Sequence, residues 1–169
     1  IIGLGAIGKN LVKLISGFDM RVLAYDIHQD KAFADKYNVE YCSLETLLRE
    51  SDFVSINCNL TNETYHMIGE QEFNIMKRDA RIINCARGKI IDEKALIDAL
   101  SNQKIAGAAL DAFEQEPTPR DNPLLQMPNV IVSPHTAGMT YSGRGKVIEM
   151  AFQNIIDLSE GKMPDALIN

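Results

Sequence analysis

The chain has 169 residues, 46% of them apolar and 24% charged, with a net charge of −6. That length and balance suit a single globular domain. The acidic surplus, without any lysine- or arginine-rich run, argues against a nucleic-acid or anionic-membrane surface, and no apolar stretch approaches the ~18 residues of a membrane span.

In chain order, Ile1-Ile2 leads straight into Gly3-Leu4-Gly5-Ala6-Ile7-Gly8. In such a glycine turn the first glycine allows the bend, the second lets backbone approach a pyrophosphate, and the third lets helix pack on strand. The strand leading in is a stub and there is no initiator Met, so the chain is expected to be a piece of something longer. Ile7, Leu11, Leu14 and Ile15 stripe the following helix. A strand over residues 21–25 ends at Asp26, 18 residues beyond Gly8. That spacing suits the acid that accepts adenosine ribose hydroxyls. Its charge would repel a 2′-phosphate, so NAD is favoured over NADP. His28 reads as a surface residue.

Further strands are predicted at Val39–Tyr41 and over residues 53–57, 80–85 and 105–110, with a last one at Val130–Val132. Asp92 should cap a helix running through Leu100, with Glu93 in its first turn. Residues 115–128, with Pro117, Pro119, Pro123 and Pro128, read as a surface loop. Val147, Met150, Ala151, Ile155 and Leu158 stripe a final helix ending near Gly161. Strand–helix alternation throughout predicts a doubly wound α/β fold, a parallel sheet with helices on both faces. Cys42, Cys58 and Cys85, odd in number and widely spaced, fit neither a zinc site nor a disulfide framework. They read as reduced thiols of a cytoplasmic protein.

Three strand ends lead into polar residues. Strand 80–85 gives Ala86-Arg87-Gly88. Strand 105–110 gives Asp111 and then Phe113-Glu114-Gln115-Glu116-Pro117. Val130–Val132 gives Ser133-Pro134-His135. The crevice of an open parallel sheet lies beyond these ends. An arginine there can hold a carboxylate in a bidentate pair. A histidine can move a proton, and a neighbouring acid can raise its pKa. The set suits hydride transfer to a 2-keto acid.

The wording of these motifs resembles the D-isomer-specific 2-hydroxyacid dehydrogenases, the family of D-3-phosphoglycerate, D-lactate, glyoxylate/hydroxypyruvate and formate dehydrogenases. Residues 3–8 carry the likeness, as do Leu60-Thr61 with Thr64 and Ile83-Asn84-Cys85-Ala86-Arg87-Gly88 with Ile91-Asp92. So do Gly107-Ala108-Ala109-Leu110-Asp111 with Phe113 and Glu116-Pro117, Asn122-Pro123-Leu124 with Pro128-Asn129-Val130, and Pro134-His135. The resemblance runs from Ile2 to about Asn169. It implies a Rossmann-type NAD-binding domain in which Arg87 binds substrate, His135 is the acid/base and Glu116, rather than Glu114, is its partner. It also implies that Asp111 holds the nicotinamide carboxamide and Asp26 the adenosine ribose. Gly5, Ala6, Ile7, Gly8, Thr61, Cys85 and Ala86 would complete the cofactor contacts, with Arg87 and His135 beside them. No metal is implied. The substrate would be a small 2-keto or 2-hydroxy acid, and the assembly a homodimer through the cofactor domain.

Two features depart from the family. Asn59 and Asn62 stand where proline is common, and Tyr141-Ser142-Gly143-Arg144-Gly145 replaces the usual acidic-alanine helix start. The roughly hundred residues that the family carries before the glycine turn, forming most of its substrate domain, are not in this sequence. Residues 161–169 resemble the point where the family crosses back to that domain. On its own the chain is expected to bind NAD weakly and turn over little. The same resemblance includes NAD-sensing corepressors, so an interaction module without turnover is the alternative.

Overall fold

A computed structural model describes residues 1–164. Its contacts divide into two units, Ile1–Pro134 and His135–Asn169.

The first unit is built on parallel strands. β1 (Val22–Ala24) pairs with β2 (Val39–Tyr41). β3 (Phe53–Ile56), β4 (Arg81–Asn84), β5 (Gly107–Leu110) and β6 (Val130–Val132) form a second ladder in that order. Ile2 joins the two, bridging Tyr25 on one side and Ile56 on the other. The order is therefore β2, β1, the Ile1-Ile2 stub, β3, β4, β5, β6. The winding reverses at the stub, which is where a ligand crevice opens in folds of this type.

Alternation along the strands sorts side chains to two cores. Ile2, Leu23, Val54, Ile56 and Ile82 pack against Leu47 and Leu48 of α3 (Leu44–Glu50), Phe73 of α4 (Glu70–Ile75), and Leu96 and Leu100 of α5 (Glu93–Ser101). Ile1, Ala24 and Val39 pack on the opposite face against Val12 of α1 (Ala6–Ile15) and Ala34 of α2 (Lys31–Tyr37). The doubly wound α/β sheet expected from the sequence is the fold observed. Short helices start where a side chain satisfies an orphan N–H. Asp30 accepts from Phe33 N, Ser43 from Thr46 N, and Asp92, as expected, from Ala95 N.

The α1 stripe divides: Ile7 and Leu14 are 71% and 77% exposed, whereas Leu11 packs on the cluster around Val12. The helix meets the sheet through Gly8 and Val12, because the small glycine allows the closer approach. One expectation needs correction: the proline-rich stretch 115–128 is not wholly superficial. Asn122 caps a 3₁₀ turn at Pro123–Leu125, and that turn buries Leu124 completely.

The second unit carries α6 (Tyr141–Ser159). Thr140 caps it, accepting from Gly143 N at 3.0 Å. A Cβ on residue 143 would lie 2.8 Å from that hydroxyl, which gives this glycine a reason. The far end closes at Gly161 (φ 71°), with Gly161 N donating to Leu158 O and Lys162 N to Asp157 O. This is the αL closure that glycine favours. The predicted stripe Val147, Met150, Ile155 and Leu158 is exposed, as is the rest of its apolar content. Of the stretch expected to cross toward a further domain, residues 165–169 lie outside the described residues.

Candidate active site

The three glycines divide the work of the turn. Gly3 has φ 89°, and a Cβ there would fall 2.6 Å from Cys58 N. At Gly8 a Cβ would fall 2.3 Å from Gly3 O, so only glycine lets α1 sit this close to the strand end. Gly5 faces open space, with nothing within 4 Å of its Cβ position. It is also the N-cap of α1 and lends no side chain to the cap. The first-turn N–H groups and the positive end of the helix dipole therefore face an open cradle suited to phosphate.

A cleft of about 350 Å³ and another of about 330 Å³ lie in the same unit. The smaller is lined by Leu4, Gly5, Lys9, Asp26, His28 and Asp30 among others. Asp26 accepts Leu4 N at 2.6 Å on one oxygen and His28 N at 2.8 Å on the other. The acid is thus fixed against the glycine turn by backbone donors. The larger cleft is lined by Ile7, Cys58, Leu60, Cys85, Ala86 and Arg87 among others. Burial pushes both thiols up, that of Cys85 further through the Asp111 carboxylate and that of Cys58 through Asp26. Thr61 does not line either cleft. Its N–H is held by Thr64 Oγ1, which donates in turn to Asn59 O. The loop carrying Asn59 and Asn62 is therefore closed by a threonine.

Parallel register sets Asn84 beside Leu110 and Leu110 beside Val132, so the turns after β4, β5 and β6 emerge along one edge. Asn84, 1% exposed, staples the first of them. Its oxygen accepts Ala86 N and its amide donates to Arg87 O, so the backbone at Arg87 is fixed while its guanidinium is exposed and reaches Ala86 O. Asp111 is buried, receives Ser133 Oγ–H at 2.5 Å on Oδ1, and donates its N–H to Asn84 O. Gly88 touches the segment after Asp111, since a Cβ there would overlap Phe113 C at 1.9 Å.

Glu114 and Glu116 separate clearly. Glu114 Oε1 accepts Glu93 N at 2.8 Å, and Glu93 Oε2 accepts Glu114 N in return. Asn122 adds a 2.6 Å bond to Glu93 Oε1. His66 Nε2 lies 2.9 Å from Glu114 Oε1 at ion-pair distance, though not along a hydrogen-bond direction. His66, Asp92 and Glu114 place donor atoms within 4.8 Å of one another. Glu114 is thus committed to tying three loops together. Glu116 is exposed; its Oε1 accepts Phe113 N at 3.0 Å, and its bond to Pro117 is cis. His135, exposed and with φ 55°, opens the second unit.

The structure therefore gathers Arg87, Asp111 and Glu116 in one unit, with Gly5, Ala6, Ile7 and Gly8 on the turn that begins it and Asp26, after β1, bonded to that turn. The residues without an assigned role in the sequence were Asn84, Glu93, Asn122 and Ser133. Asn84 had a signal, a polar residue ending an apolar strand. The others become visible only through their partners.

Fold and turn together define a dinucleotide-binding domain, and an open cradle above Gly5 beside a fixed Asp26 fits that ligand. The chain belongs to the D-isomer specific 2-hydroxyacid dehydrogenase family, matching its NAD binding domain over residues 1–137. It is 47% identical over 169 residues to a glyoxylate reductase of Korarchaeum cryptofilum, covering 100% of this chain and 51% of that protein. A D-lactate dehydrogenase with NAD+ from Lactobacillus jensenii superposes with a TM-score of 0.93 at 35% identity, covering 99% of this chain and 54% of that one. The holo D-mandelate dehydrogenase of Rhodotorula graminis gives 0.89 at 33% identity, covering 99% and 50%. The chain thus spans about half the length of the relatives it matches.

Proposed function

We propose that this chain is the NAD-binding and catalytic half of a larger oxidoreductase that interconverts a 2-keto acid and a D-2-hydroxy acid, the other half being a substrate-binding domain. The supporting observation is the register of β4 and β5, which sets the Arg87 turn beside the segment holding Asp111 and Glu116. Bound NAD supplies the hydride chemistry at its nicotinamide. In this reading Gly5, Ala6, Ile7 and Gly8 present backbone to the pyrophosphate and Asp26 takes the adenosine ribose hydroxyls. Thr61, Cys85, Ala86 and Asp111 serve the nicotinamide side. Arg87 grips the substrate carboxylate as a bidentate pair. His135 gives a proton to the keto oxygen in reduction and removes it in oxidation, with Glu116 favouring the protonated imidazole. The alternative of an NAD-sensing module gains no support from the relatives, which carry the names of reductases and dehydrogenases.

The protein would act in the cytoplasm as a homodimer through this domain. Supporting observations are three free thiols and the exposed Val147, Phe152 and Ile155 of α6. No helix among the described residues is long and apolar enough to cross a membrane.

The test is steady-state kinetics of the whole enzyme on a panel of 2-keto acids, with NAD binding to this chain measured by calorimetry. His135→Ala should abolish turnover, Arg87→Ala should raise KM for the keto acid, and Asp26→Ala should weaken NAD. Unchanged kinetics would remove the role given to either residue. NAD binding without turnover on any 2-keto acid would overturn the reaction itself.

A further inference from the structure

Three loops of the first unit bring titratable side chains together. His66 belongs to the segment after β3, Asp92 caps α5 after β4, and Glu114 lies in the segment after β5. Their ligating atoms lie within 4.8 Å of one another, and none of the three residues lines either cleft. Glu93 joins them, exchanging backbone-to-carboxylate hydrogen bonds with Glu114. Three carboxylates are therefore drawn together. Among the described residues none of them pairs with a lysine or arginine, and their one ion-pair partner is His66.

That pairing is incomplete. His66 Nε2 is closed to solvent and lies 2.9 Å from Glu114 Oε1, yet it makes no hydrogen bond. A hydrogen bond needs the ring N–H close to the line joining the two atoms. An ion held by both atoms must instead lie off that line. At the ~2.0–2.1 Å typical of zinc bonded to imidazole or carboxylate, ligands 2.9 Å apart subtend about 90° at the metal. The imidazole is already positioned: His66 N donates to Lys89 O at 2.8 Å, and the ring stacks on Tyr65 with centroids 4.1 Å apart. Each acid also keeps an oxygen in reserve. Asp92 Oδ1 accepts Ala95 N and Glu114 Oε1 accepts Glu93 N, while among the described residues no hydrogen bond engages Asp92 Oδ2 or Glu114 Oε2.

We propose that His66, Asp92 and Glu114 bind a divalent transition-metal ion of zinc's type, which clamps the three loops together. One imidazole with two carboxylates suits such an ion, whereas calcium and magnesium take oxygen ligands. The ion offsets the surplus of negative charge that one histidine leaves. The side chains of His66 and Glu114 are 30% and 29% exposed, near enough to solvent for an ion to enter and for water to complete its shell. Glu114 stands two residues before Glu116, so the clamp braces that segment without reaching the reacting atoms. Its role is structural.

Zinc titrated into this chain, followed by calorimetry, tests the site beside His66→Asn and Asp92→Asn. Asparagine at residue 92 keeps an acceptor for Ala95 N, so α5 stays capped. The three thiols are common to all forms, so only the difference between forms reports this site. Each substitution should weaken zinc roughly tenfold or more, and zinc should raise Tm in the parent chain more than in either variant. In the parent chain the His66 Nε2 nitrogen resonance should move on zinc addition. Equal zinc affinity in all three forms overturns the site. So does a His66 resonance that saturating zinc leaves unmoved, which would reduce the cluster to an imidazolium–carboxylate pair. None of these readouts depends on turnover, so the clamp stands or falls apart from the proposed reaction.

Discussion

In a polypeptide whose first residue is Ile1, protonation of that amino group should set the stability between pH 6 and 8. Ile1 is 8% exposed, and its nitrogen donates to Leu23 O at 2.7 Å. Burial lowers its pKa from 8.0 to about 6, with a smaller opposing effect from Cys42. A shift of two units corresponds to about 2.7 kcal/mol, at 1.36 kcal/mol per unit. The unfolded amine binds its proton below pH 8 and the folded one only near 6, so in that window the unfolded chain carries more protons. Stability therefore rises with pH from 6 to 8, is flat above, and carries the full deficit below. Urea unfolding of a polypeptide starting at Ile1, followed from pH 5 to 9, should show this rise. A chain acetylated at Ile1 keeps an N–H for Leu23 O and loses the charge, so the rise should vanish. Identical pH profiles for the two forms would refute the argument.

The glycines of the turn should separate by assay. Gly5→Ala should cost under about 1 kcal/mol by urea unfolding yet weaken NAD roughly tenfold or more in calorimetry, whereas Gly8→Ala should cost about 1–3 kcal/mol of stability first. An unchanged NAD affinity in Gly5→Ala would remove the cradle role. Gly88→Ala, with a Cβ overlapping Phe113 C, should lower stability by about 3 kcal/mol or more, visible as a Tm shift. Cys85 should alkylate slowly near neutral pH because its thiol is pushed up, faster in alkali, and more slowly again under saturating NAD, as read by mass spectrometry.

Strands were the most legible part of the sequence because each carries a short run of β-branched and aliphatic residues. β3, β4 and β6 fall where those runs lie, although β6 leaves Ile131 and Val132 exposed and β3 leaves Phe53 so. α1 was legible as a helix but not in its orientation. A stripe of Ile7, Leu11, Leu14 and Ile15 records amphipathicity, while Gly8, without a side chain, decides which face lies against the sheet. The loop over residues 115–128 misled in the same way. Proline content signals irregular backbone, and irregular backbone can still bury Leu124 when Asn122 satisfies its amides. In the candidate site, Arg87 and Asp111 could be picked out by their place after strands, and Glu116 over Glu114 only through the family resemblance. What fixes them could not, because the Glu93–Glu114 exchange joins residues 21 apart with no pattern between them.

Asp26 carries a consequence for any attempt to redesign cofactor choice. Its carboxylate is the acceptor for two backbone amides, those of Leu4 inside the glycine turn and of His28 after β1. If Asp26 holds the adenosine ribose as proposed, trading it for a small neutral residue would remove a charge that disfavours a 2′-phosphate, and would also strand both amides, at about 1–3 kcal/mol for each left without an acceptor. Selectivity and local folding are therefore inherited together at this position. A designer switching to NADP would have to rebuild the turn as well, since even Asp26→Asn keeps an acceptor for only one of the two amides and sets a donor against the other.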